Sequence, residues 1–213
     1  MKFRKPYFWD YKKPNFLSYL LLPLTFPLIV NNFLLKLKRK NIFNLKTKKI
    51  CIGNIYVGGT GKTPLVIKIY QILISLKFDT ATIKKFYSGH IDEQKMLNNN
   101  TKLYCQKNRS AALYEAIKDN KDVVIFDDGL QDRTVNYDLK FVCFNNIKWI
   151  GNGLLIPAGP LREKIDSISK YDAIFINGNE IDNSNLKLEI KKYNKNIKIF
   201  ESYYSPTNTN QFN

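Results

Sequence analysis

The sequence predicts an α/β fold in which a mostly parallel β-sheet carries helices on both faces. Two observations lead to this prediction. Short apolar runs of strand length recur along the chain and alternate with segments of helical periodicity. One of these runs leads through a glycine-rich turn directly into an apolar helix, as in the βα units of parallel sheets. With 213 residues, 44% hydrophobic and 14% aromatic, the chain can build one such domain, or one domain and part of another.

The glycine-rich turn lies in the stretch Ile50–Ile67, which reads ICIGNIYVGGTGKTPLVI. Ile50–Val57 has the composition of a buried strand, and Pro64 suits the first turn of the helix that follows. In such a turn, successive backbone N–H groups surround phosphate oxygens, and the helix N-terminus adds partial positive charge. Lys62 is predicted to reach the outer phosphates of a nucleotide, and the Thr63 hydroxyl to hold Mg²⁺.

The match to the usual phosphate-loop pattern G-x-x-x-x-G-K-[ST] is incomplete, because Tyr56 occupies the position of the first Gly. The alternative is a glycine-rich strand-to-helix turn whose Lys is incidental. The context favours the phosphate loop, since apolar residues then recur at helical spacing, at Leu65, Ile69, Ile72, Leu73 and Leu76. The residues predicted to bind the nucleotide here are Tyr56, Val57, Gly58, Gly59, Thr60, Gly61, Lys62 and Thr63.

Two carboxylates, Asp127 and Asp128, end the apolar strand Asp122–Asp128, which reads DVVIFDD. In a nucleotide-binding α/β sheet the carboxyl ends of the strands face the ligand, and a carboxylate placed there holds Mg²⁺ as the Walker B acid. The alternative is an ordinary Asp-Asp-Gly turn. With a phosphate loop upstream, the sequence favours the metal-binding role and a P-loop NTPase-like fold.

A second pair of carboxylates, Asp92 and Glu93, opens a short helical run that continues through Leu97. These side chains either stabilise the N-terminus of the helix through its dipole or serve Mg²⁺ and proton transfer. Acidic first turns are common, so spacing alone favours the stabilising role.

The remaining segments complete the predicted sheet. Further strands are predicted at Asp79–Lys84, Thr101–Gln106, Leu139–Phe144, Asp172–Gly178 and Lys198–Tyr204. Helices are predicted at Arg109–Ile117, with Ala111, Ala112, Leu113 and Ile117 facing inward, and at Asn183–Tyr193. The long Gly- and Pro-rich loop Gly151–Glu163 is of a kind that often carries function.

The N-terminal segment from Phe16 to Leu35 is nearly long enough to span a bilayer. Its Pro and Asn residues weaken that interpretation, and both flanks are basic, which would hold both on the cytoplasmic side. A segment that lies in the cytoplasmic interface satisfies both flanks, with Tyr7, Trp9 and Tyr19 at the headgroup level. The alternative is an apolar helix packed on the domain.

A formal net charge of +16 favours anionic partners such as phosphate groups or anionic lipid. No sequence signature supports nucleic acid as a partner, and no obligate protein partner is evident. The three Cys lie in apolar, strand-like runs and are expected to be buried thiols. The single His, His90, leaves little basis for a His-based triad or a His-rich metal site.

Three blocks together resemble the tetraacyldisaccharide 4′-kinases, the lipid A 4′-kinases of Gram-negative bacteria: GNIYVGGTGKTP (Gly53–Pro64), FDDGLQDR (Phe126–Arg133) and IPAGPLRE (Ile156–Glu163). The resemblance covers essentially the whole chain, and family members are longer, so we expect the chain to be shortened at its C-terminus. It implies an ATP- and Mg²⁺-dependent lipid kinase. Such a kinase transfers the γ-phosphate to the 4′-hydroxyl of an anionic glycolipid, tetraacyldisaccharide 1-phosphate, at the cytoplasmic face of the inner membrane.

The resemblance also implies roles for particular residues. Asp92 lies at the place of a Gly-Asp-Glu motif of the family, so the resemblance moves it towards a catalytic role. Lys62 and Asp128 are the further catalytic residues that it implies. It places Glu93 near Mg²⁺ with Thr63 and Asp127, and Gln131 beside the nucleotide. It divides the chain into a membrane-facing segment (1–45), a P-loop kinase core (46–176) and the start of a smaller second domain (177–213).

The chain departs from the family pattern at Asp132, where family members usually have His. A carboxylate here is expected to repel the phosphates and weaken nucleotide binding. Two alternatives to the lipid kinase therefore stay open. One is another P-loop kinase or nucleotide hydrolase, and the other is a truncated, degenerate relative that binds nucleotide or membrane without turnover.

Overall fold

The computed structural model describes residues 5–37, 46–89, 91–132 and 134–203. Its centre is a seven-stranded sheet in which every neighbouring pair of strands is parallel. The strand order is β3-β2-β4-β1-β5-β6-β7. The strands are β1 (Lys48–Gly53), β2 (Thr80–Lys85), β3 (Leu103–Gln106), β4 (Val123–Asp127), β5 (Leu139–Asn145), β6 (Ala173–Gly178) and β7 (Lys198–Tyr203).

The helices are α1 (Phe16–Leu21), α2 (Phe26–Leu37), α3 (Lys62–Ser75), α4 (Ile91–Asn100), α5 (Arg109–Lys118) and α6 (Ser184–Tyr193). Short 3₁₀ turns lie at Tyr7–Asp10, Leu22–Thr25 and Ile165–Lys170. The predicted strands and helices between residues 48 and 203 are all present, with ends that differ by a few residues. His90, Arg133 and Tyr204 lie outside the described residues.

The central strands are buried on both faces because alternate side chains enter two separate apolar clusters. Val124 and Phe126 of β4 join a cluster that includes Ala112 and Leu113 of α5. Their neighbour Ile125 joins the opposite cluster, which includes residues of α3 and α4. This period-2 alternation explains why strands of a parallel sheet are almost continuously apolar in sequence. The predicted fold, a parallel sheet with helices on both faces, is confirmed.

One inward-facing position of α5 was predicted wrongly. Ala111 is exposed, whereas Ala116 is fully buried with Ala112 and Leu113. The positions 109, 112, 113 and 116 form one helical face, because residues three and four apart lie on the same side of a helix. Residue 111 falls outside that face.

The predicted boundary between core and second domain, after residue 176, lies inside β6. Asn177 and Gly178 of β6 pair with Ser202 and Tyr203 of β7, so the described residues up to 203 continue the same sheet. The assignment of 177–213 to a second domain stays a prediction.

The N-terminal helices lie largely outside this core. Phe16–Leu34 is long and apolar enough to cross a membrane, judged by length and composition only, and 11% of it is buried. Asn15 begins α1 by accepting a hydrogen bond from the Ser18 N–H at 3.0 Å.

Trp9 anchors the N-terminal segment to the domain. Its side chain is 1% exposed, and its indole Nε1–H donates to the Pro157 carbonyl at 3.0 Å. Its own carbonyl accepts from the Asn152 N–H at 3.0 Å. The prediction that Trp9 lies at the headgroup level is therefore wrong, because tertiary packing buries it. Tyr7 and Tyr19 are exposed.

Candidate functional site

The glycine-rich turn lies between β1 and α3 and lines a cavity of about 870 Å³. Gly58 and Gly61 have φ values of 138° and 77°, which side chains rarely adopt. The Asn54 amide donates to the Tyr56 and Gly58 carbonyls and so holds the turn from within. β1 ends at Gly53, before the predicted end at Val57.

The cavity collects residues from α3, β2, α4, α5 and β4 and from loops. These elements meet because β2, β4 and β1 are neighbours, so that their carboxyl ends lie at one edge of the sheet. Its lining comprises the turn residues Val57, Gly58, Gly59, Thr60, Gly61, Lys62 and Thr63, with Pro64, Lys84, Tyr87, Glu93, Met96, Arg109, Asp127, Asp128 and Arg162.

Tyr56 differs from the other predicted nucleotide-binding residues of the turn, because it is not among the residues that line this cavity. Its ring is fully buried with Leu155 and Leu161. Its hydroxyl accepts from Lys5 at 2.6 Å and donates to Asp10. The side chain at the position of the missing Gly therefore ties the turn to the N-terminal segment.

Asp127 is the most buried carboxylate of the site, with no exposed surface. Burial raises its pKa, whereas the ammonium groups of Lys84 and Lys62 act in the opposite direction. Its Oδ2 accepts from Lys84 and lies 3.4 Å from the Thr63 hydroxyl. Its Oδ1 is buried and has no hydrogen-bond partner among the described residues.

Asp128 faces a different set of charges. Burial would raise its pKa, but Lys62 and Arg162, followed by Arg109, bring the pKa below its usual range. Arg162 Nη1 lies 3.0 Å and 3.2 Å from the two carboxylate oxygens of Asp128. Asp128 is therefore an ionised group held in place by a bifurcated contact from one guanidinium nitrogen. The two adjacent carboxylates thus have different environments, one paired with lysine and one with arginine.

A second cavity, of about 940 Å³, adjoins the first. Asp128, Arg109 and Arg162 line both cavities. On its far side the second cavity is lined by residues of α2, including Leu28, and the Asn32 amide donates to the Arg162 carbonyl at 3.1 Å.

Gln131 lines the second cavity and not the first. Its amide donates to Glu163 Oε1 at 3.0 Å and to the Asn54 carbonyl at 3.3 Å. Its Oε1 accepts from Arg162 at 3.3 Å. It is therefore placed beside Asp128 and Arg162, and the structure does not bring it to the phosphate-loop cavity.

Asp92 and Glu93 both lie in the first turn of α4, as predicted, but the structure places them differently. Glu93 lines the phosphate-loop cavity and accepts from Lys84 at 2.7 Å. Asp92 is exposed and lines neither of the two cavities. The catalytic role of Asp92 stays a prediction.

The residues present fit a Mg²⁺ ion at Thr63 and Asp127. The Thr63 hydroxyl lies next to the carboxylate whose Oδ1 lacks a partner within the described ranges. No group of three or more His, Cys, Asp or Glu suited to a metal occurs in the described part of the chain. One carboxylate beside one hydroxyl suits Mg²⁺, which commonly binds one or two protein groups and completes its shell with phosphate oxygens and water.

Sequence reasoning missed Lys84, Arg109 and Arg162 as site residues. Lys84 and Arg109 come from a strand and a helix that the chain brings to the phosphate loop only through the strand order. Arg162 lies in the Gly- and Pro-rich loop, whose backbone pairs with the phosphate-loop region, since Arg162 N–H donates to the Ile55 carbonyl at 2.7 Å. The sequence signals for its position were the composition of the loop and the block IPAGPLRE (Ile156–Glu163), which contains Arg162.

Residues 17–97 and 91–213 match a family model described as LpxK, tetraacyldisaccharide-1-P 4′-kinase. A tetraacyldisaccharide 4′-kinase of Pelagibacter ubique (strain HTCC1062) is 51% identical over 213 residues, which is 100% of this chain and 67% of that protein. A protein of the same name from Ruthia magnifica is 32% identical over 185 residues, covering 76% of this chain and 59% of that protein.

Among solved structures, the chain is similar to LpxK from Aquifex aeolicus, which was crystallised in complex with ATP. The TM-score is 0.61 with 18% sequence identity, over 91% of this chain and 86% of that chain. At this identity the likeness concerns the fold. The chain spans 67% and 59% of the length of the two relatives named above.

Proposed function

Because the chain belongs to the tetraacyldisaccharide 4′-kinase family, we propose that it transfers the γ-phosphate of ATP to the 4′-hydroxyl of tetraacyldisaccharide 1-phosphate, a step of lipid A biosynthesis. The observation that carries this proposal is the meeting of two cavities at Asp128 and Arg162. A phosphoryl transfer needs a donor site and an acceptor site that share one boundary, since the attacking and leaving oxygens lie roughly in line.

The donor side is the phosphate-loop cavity. Backbone N–H groups of Gly58–Thr63 and the N-terminus of α3 would surround the phosphates. Lys62 would stabilise charge on the transferred group, and Thr63 and Asp127 would hold Mg²⁺, with Glu93 near it. When bound, the ion would neutralise charge on the phosphate oxygens.

The acceptor side is the cavity between α2 and the sheet. Arg162, held by Asp128 and Gln131, would orient the transferring phosphoryl group at the boundary. Asp128 is ionised and would position the acceptor hydroxyl, and Asp92 would take its proton. Base assistance of this kind is worth ~10²–10⁴-fold in rate. The resemblance supports the role of Asp92, which precedes Glu93 in the first turn of α4 and lines neither cavity.

The N-terminal segment supports a membrane-bound acceptor. Phe16, Leu20, Phe26 and Phe33 are between 59% and 80% exposed, so the segment presents an apolar surface. Leu28, Asn31 and Asn32 of α2 line the acceptor cavity. We propose that residues 1–45 lie at the cytoplasmic face of the inner membrane and lead the anionic glycolipid from the bilayer to the site.

The test is transfer of labelled phosphate from ATP to tetraacyldisaccharide 1-phosphate in mixed micelles with Mg²⁺. Wild type should transfer phosphate, Lys62→Ala should lose turnover while binding micelles normally, and Lys68→Ala should resemble wild type. Lys68 is a suitable control because it lies exposed on the same helix, α3.

Other outcomes separate the competing functions. ATP turnover that does not depend on the lipid would contradict the proposal in favour of another P-loop enzyme. Nucleotide binding without any turnover would contradict it in favour of a degenerate binding protein. Equal turnover in Lys62→Ala would exclude the phosphate loop from the reaction.

A further inference from the structure

Lys84 is a buried cation at the point where the site is expected to hold Mg²⁺. It lies in β2 directly opposite Asp127 in β4, as the strand register shows. The residue is 4% exposed and lines the phosphate-loop cavity. Its Nζ donates to Asp127 Oδ2 and, at 2.7 Å, to Glu93 Oε2.

The position of Lys84 is unusual for a lysine. A buried ammonium is costly unless opposite charges compensate it, and here two carboxylates from different elements do so. These two carboxylates, Asp127 and Glu93, are the ones proposed for the metal. The Lys84 ammonium therefore lies between them and supplies positive charge that a divalent ion would otherwise supply.

A divalent ion that entered this space without a nucleotide would meet the ammonium at close range. It would also have to shed part of its hydration shell with few protein ligands in return, since Mg²⁺ dehydrates reluctantly. A bound nucleotide would reduce both the repulsion from the ammonium and the cost of dehydration, because its phosphates would add negative charge and further oxygen ligands. Asp127 Oδ1 is buried and lacks a hydrogen-bond partner within the described residues, as does the hydroxyl of Thr60, which lines the same cavity.

We propose that Lys84 is a built-in counter-ion of the metal site, which keeps the nucleotide-free protein from binding a divalent ion and makes the metal enter with the nucleotide phosphates. This inference rests on the proposed function, since it takes Thr63 and Asp127 as metal ligands. In the competing interpretation, Lys84 is a structural ion pair that has no influence on the metal.

The test uses the full chain without nucleotide and Mn²⁺ alone as the probe, with unbound Mn²⁺ measured by electron paramagnetic resonance. Wild type should bind Mn²⁺ weakly, and addition of ADP should increase its affinity at least tenfold. Lys84→Met should bind Mn²⁺ without nucleotide at least tenfold more tightly than wild type. Lys95→Met is the matched control, because Lys95 lies exposed on α4 outside the cavity lining, and it should behave as wild type.

A second measurement addresses the stability of the variant. Lys84→Met leaves Asp127 and Glu93 without their shared cation, so it should melt at a lower temperature than wild type in a chelator. Mn²⁺ should raise the melting temperature of Lys84→Met and leave that of nucleotide-free wild type nearly unchanged. Adding Asp127→Asn to Lys84→Met should abolish the gained Mn²⁺ affinity.

Equal Mn²⁺ affinity in wild type, Lys84→Met and Lys95→Met would overturn the inference. If Lys84→Met does not fold, the wild type alone decides. Tight Mn²⁺ binding by nucleotide-free wild type would then overturn the inference, and Mn²⁺ binding only with ADP would support it. Failure of the proposed function is distinguishable, because it would appear as loss of lipid phosphorylation by wild type in the micelle assay.

Discussion

Arg109 Nη1 lies 3.3 Å from the Asp132 carboxylate, and the same guanidinium donates to the Asp128 carbonyl. Asp132 also accepts from the Thr134 N–H at 2.9 Å. Burial would raise the pKa of Asp132, but the bonds from Thr134 and the charge of Arg109 bring it below its usual range. The carboxylate that replaces the usual family His is thus compensated by a buried cation. The repulsion that the sequence predicts between Asp132 and the nucleotide phosphates is therefore opposed by the charge of Arg109.

The first prediction concerns this pair. Arg109→Met should lower the free energy of unfolding by about 1–3 kcal/mol, because it removes the cation beside the Asp132 carboxylate and the guanidinium donor to the Asp128 carbonyl. Asp132→Ala should cost less, since Arg109 keeps the Asp128 carbonyl. Chemical denaturation of both single variants and the double variant gives the coupling energy. Strictly additive losses would show that the two side chains do not interact.

The second prediction concerns Arg162, which joins Asp128 and Gln131 at the boundary of the two cavities. Arg162→Met should reduce kcat for lipid phosphorylation ~10²-fold, the usual size of a lost electrostatic contact to a reacting group. The affinity for ATP should change little by comparison. Lys170→Met, an exposed position in the 3₁₀ turn that follows the loop, is the control. A loss confined to the KM of ATP would show that Arg162 binds nucleotide instead.

The third prediction concerns the anchor between the N-terminal segment and the domain. A Cβ at Gly151 would lie 2.0 Å from the Trp9 carbonyl oxygen, so Gly151→Ala should displace Trp9 and lower the melting temperature. Gly153→Ala is a close control, because Gly153 also has positive φ but its nearest neighbour would lie 3.7 Å away. Equal melting temperatures for the two variants would show that backbone strain, and not the Trp9 contact, determines the loss.

The fourth prediction concerns acid stability. The pKa of Asp128 is lower in the folded protein than its ordinary value of 3.8, because Lys62 and Arg162 outweigh burial. Its contribution to stability is therefore fully present above pH 3.8 and is lost as the pH falls through the lower, folded value. Asp128→Asn should remove this contribution.

The measurement for the fourth prediction is the free energy of unfolding of both proteins between pH 5 and the acid limit of folding, with Asp166→Asn as an exposed control. The difference between wild type and Asp128→Asn should shrink as the pH falls through the folded pKa of Asp128. A difference that is constant over this range would contradict the assigned charge state.

The fold, the phosphate loop and the acidic residues of the site could be predicted from local patterns in the sequence. The phosphate loop, β4 with its two acids and the acidic start of α4 are each encoded within a few consecutive residues, because strand burial, turn chemistry and helix capping are short-range properties. The same reasoning placed Trp9 in the membrane interface and Ala111 in the core. It failed there because burial depends on what packs against a segment.

The sequence by itself determined that a phosphate loop is followed along the chain by carboxylates at strand ends, within a parallel α/β sheet. Only the tertiary structure decided which cations neutralise which carboxylates. Lys84 meets Asp127 because β2 and β4 are neighbours in exact register, although 43 positions separate them. Arg162 meets Asp128 because the Gly- and Pro-rich loop folds back onto the segment that follows β1, where the Arg162 N–H donates to the Ile55 carbonyl. The charge balance of the site is thus a property of strand order, since electrostatic energy depends on distance in space.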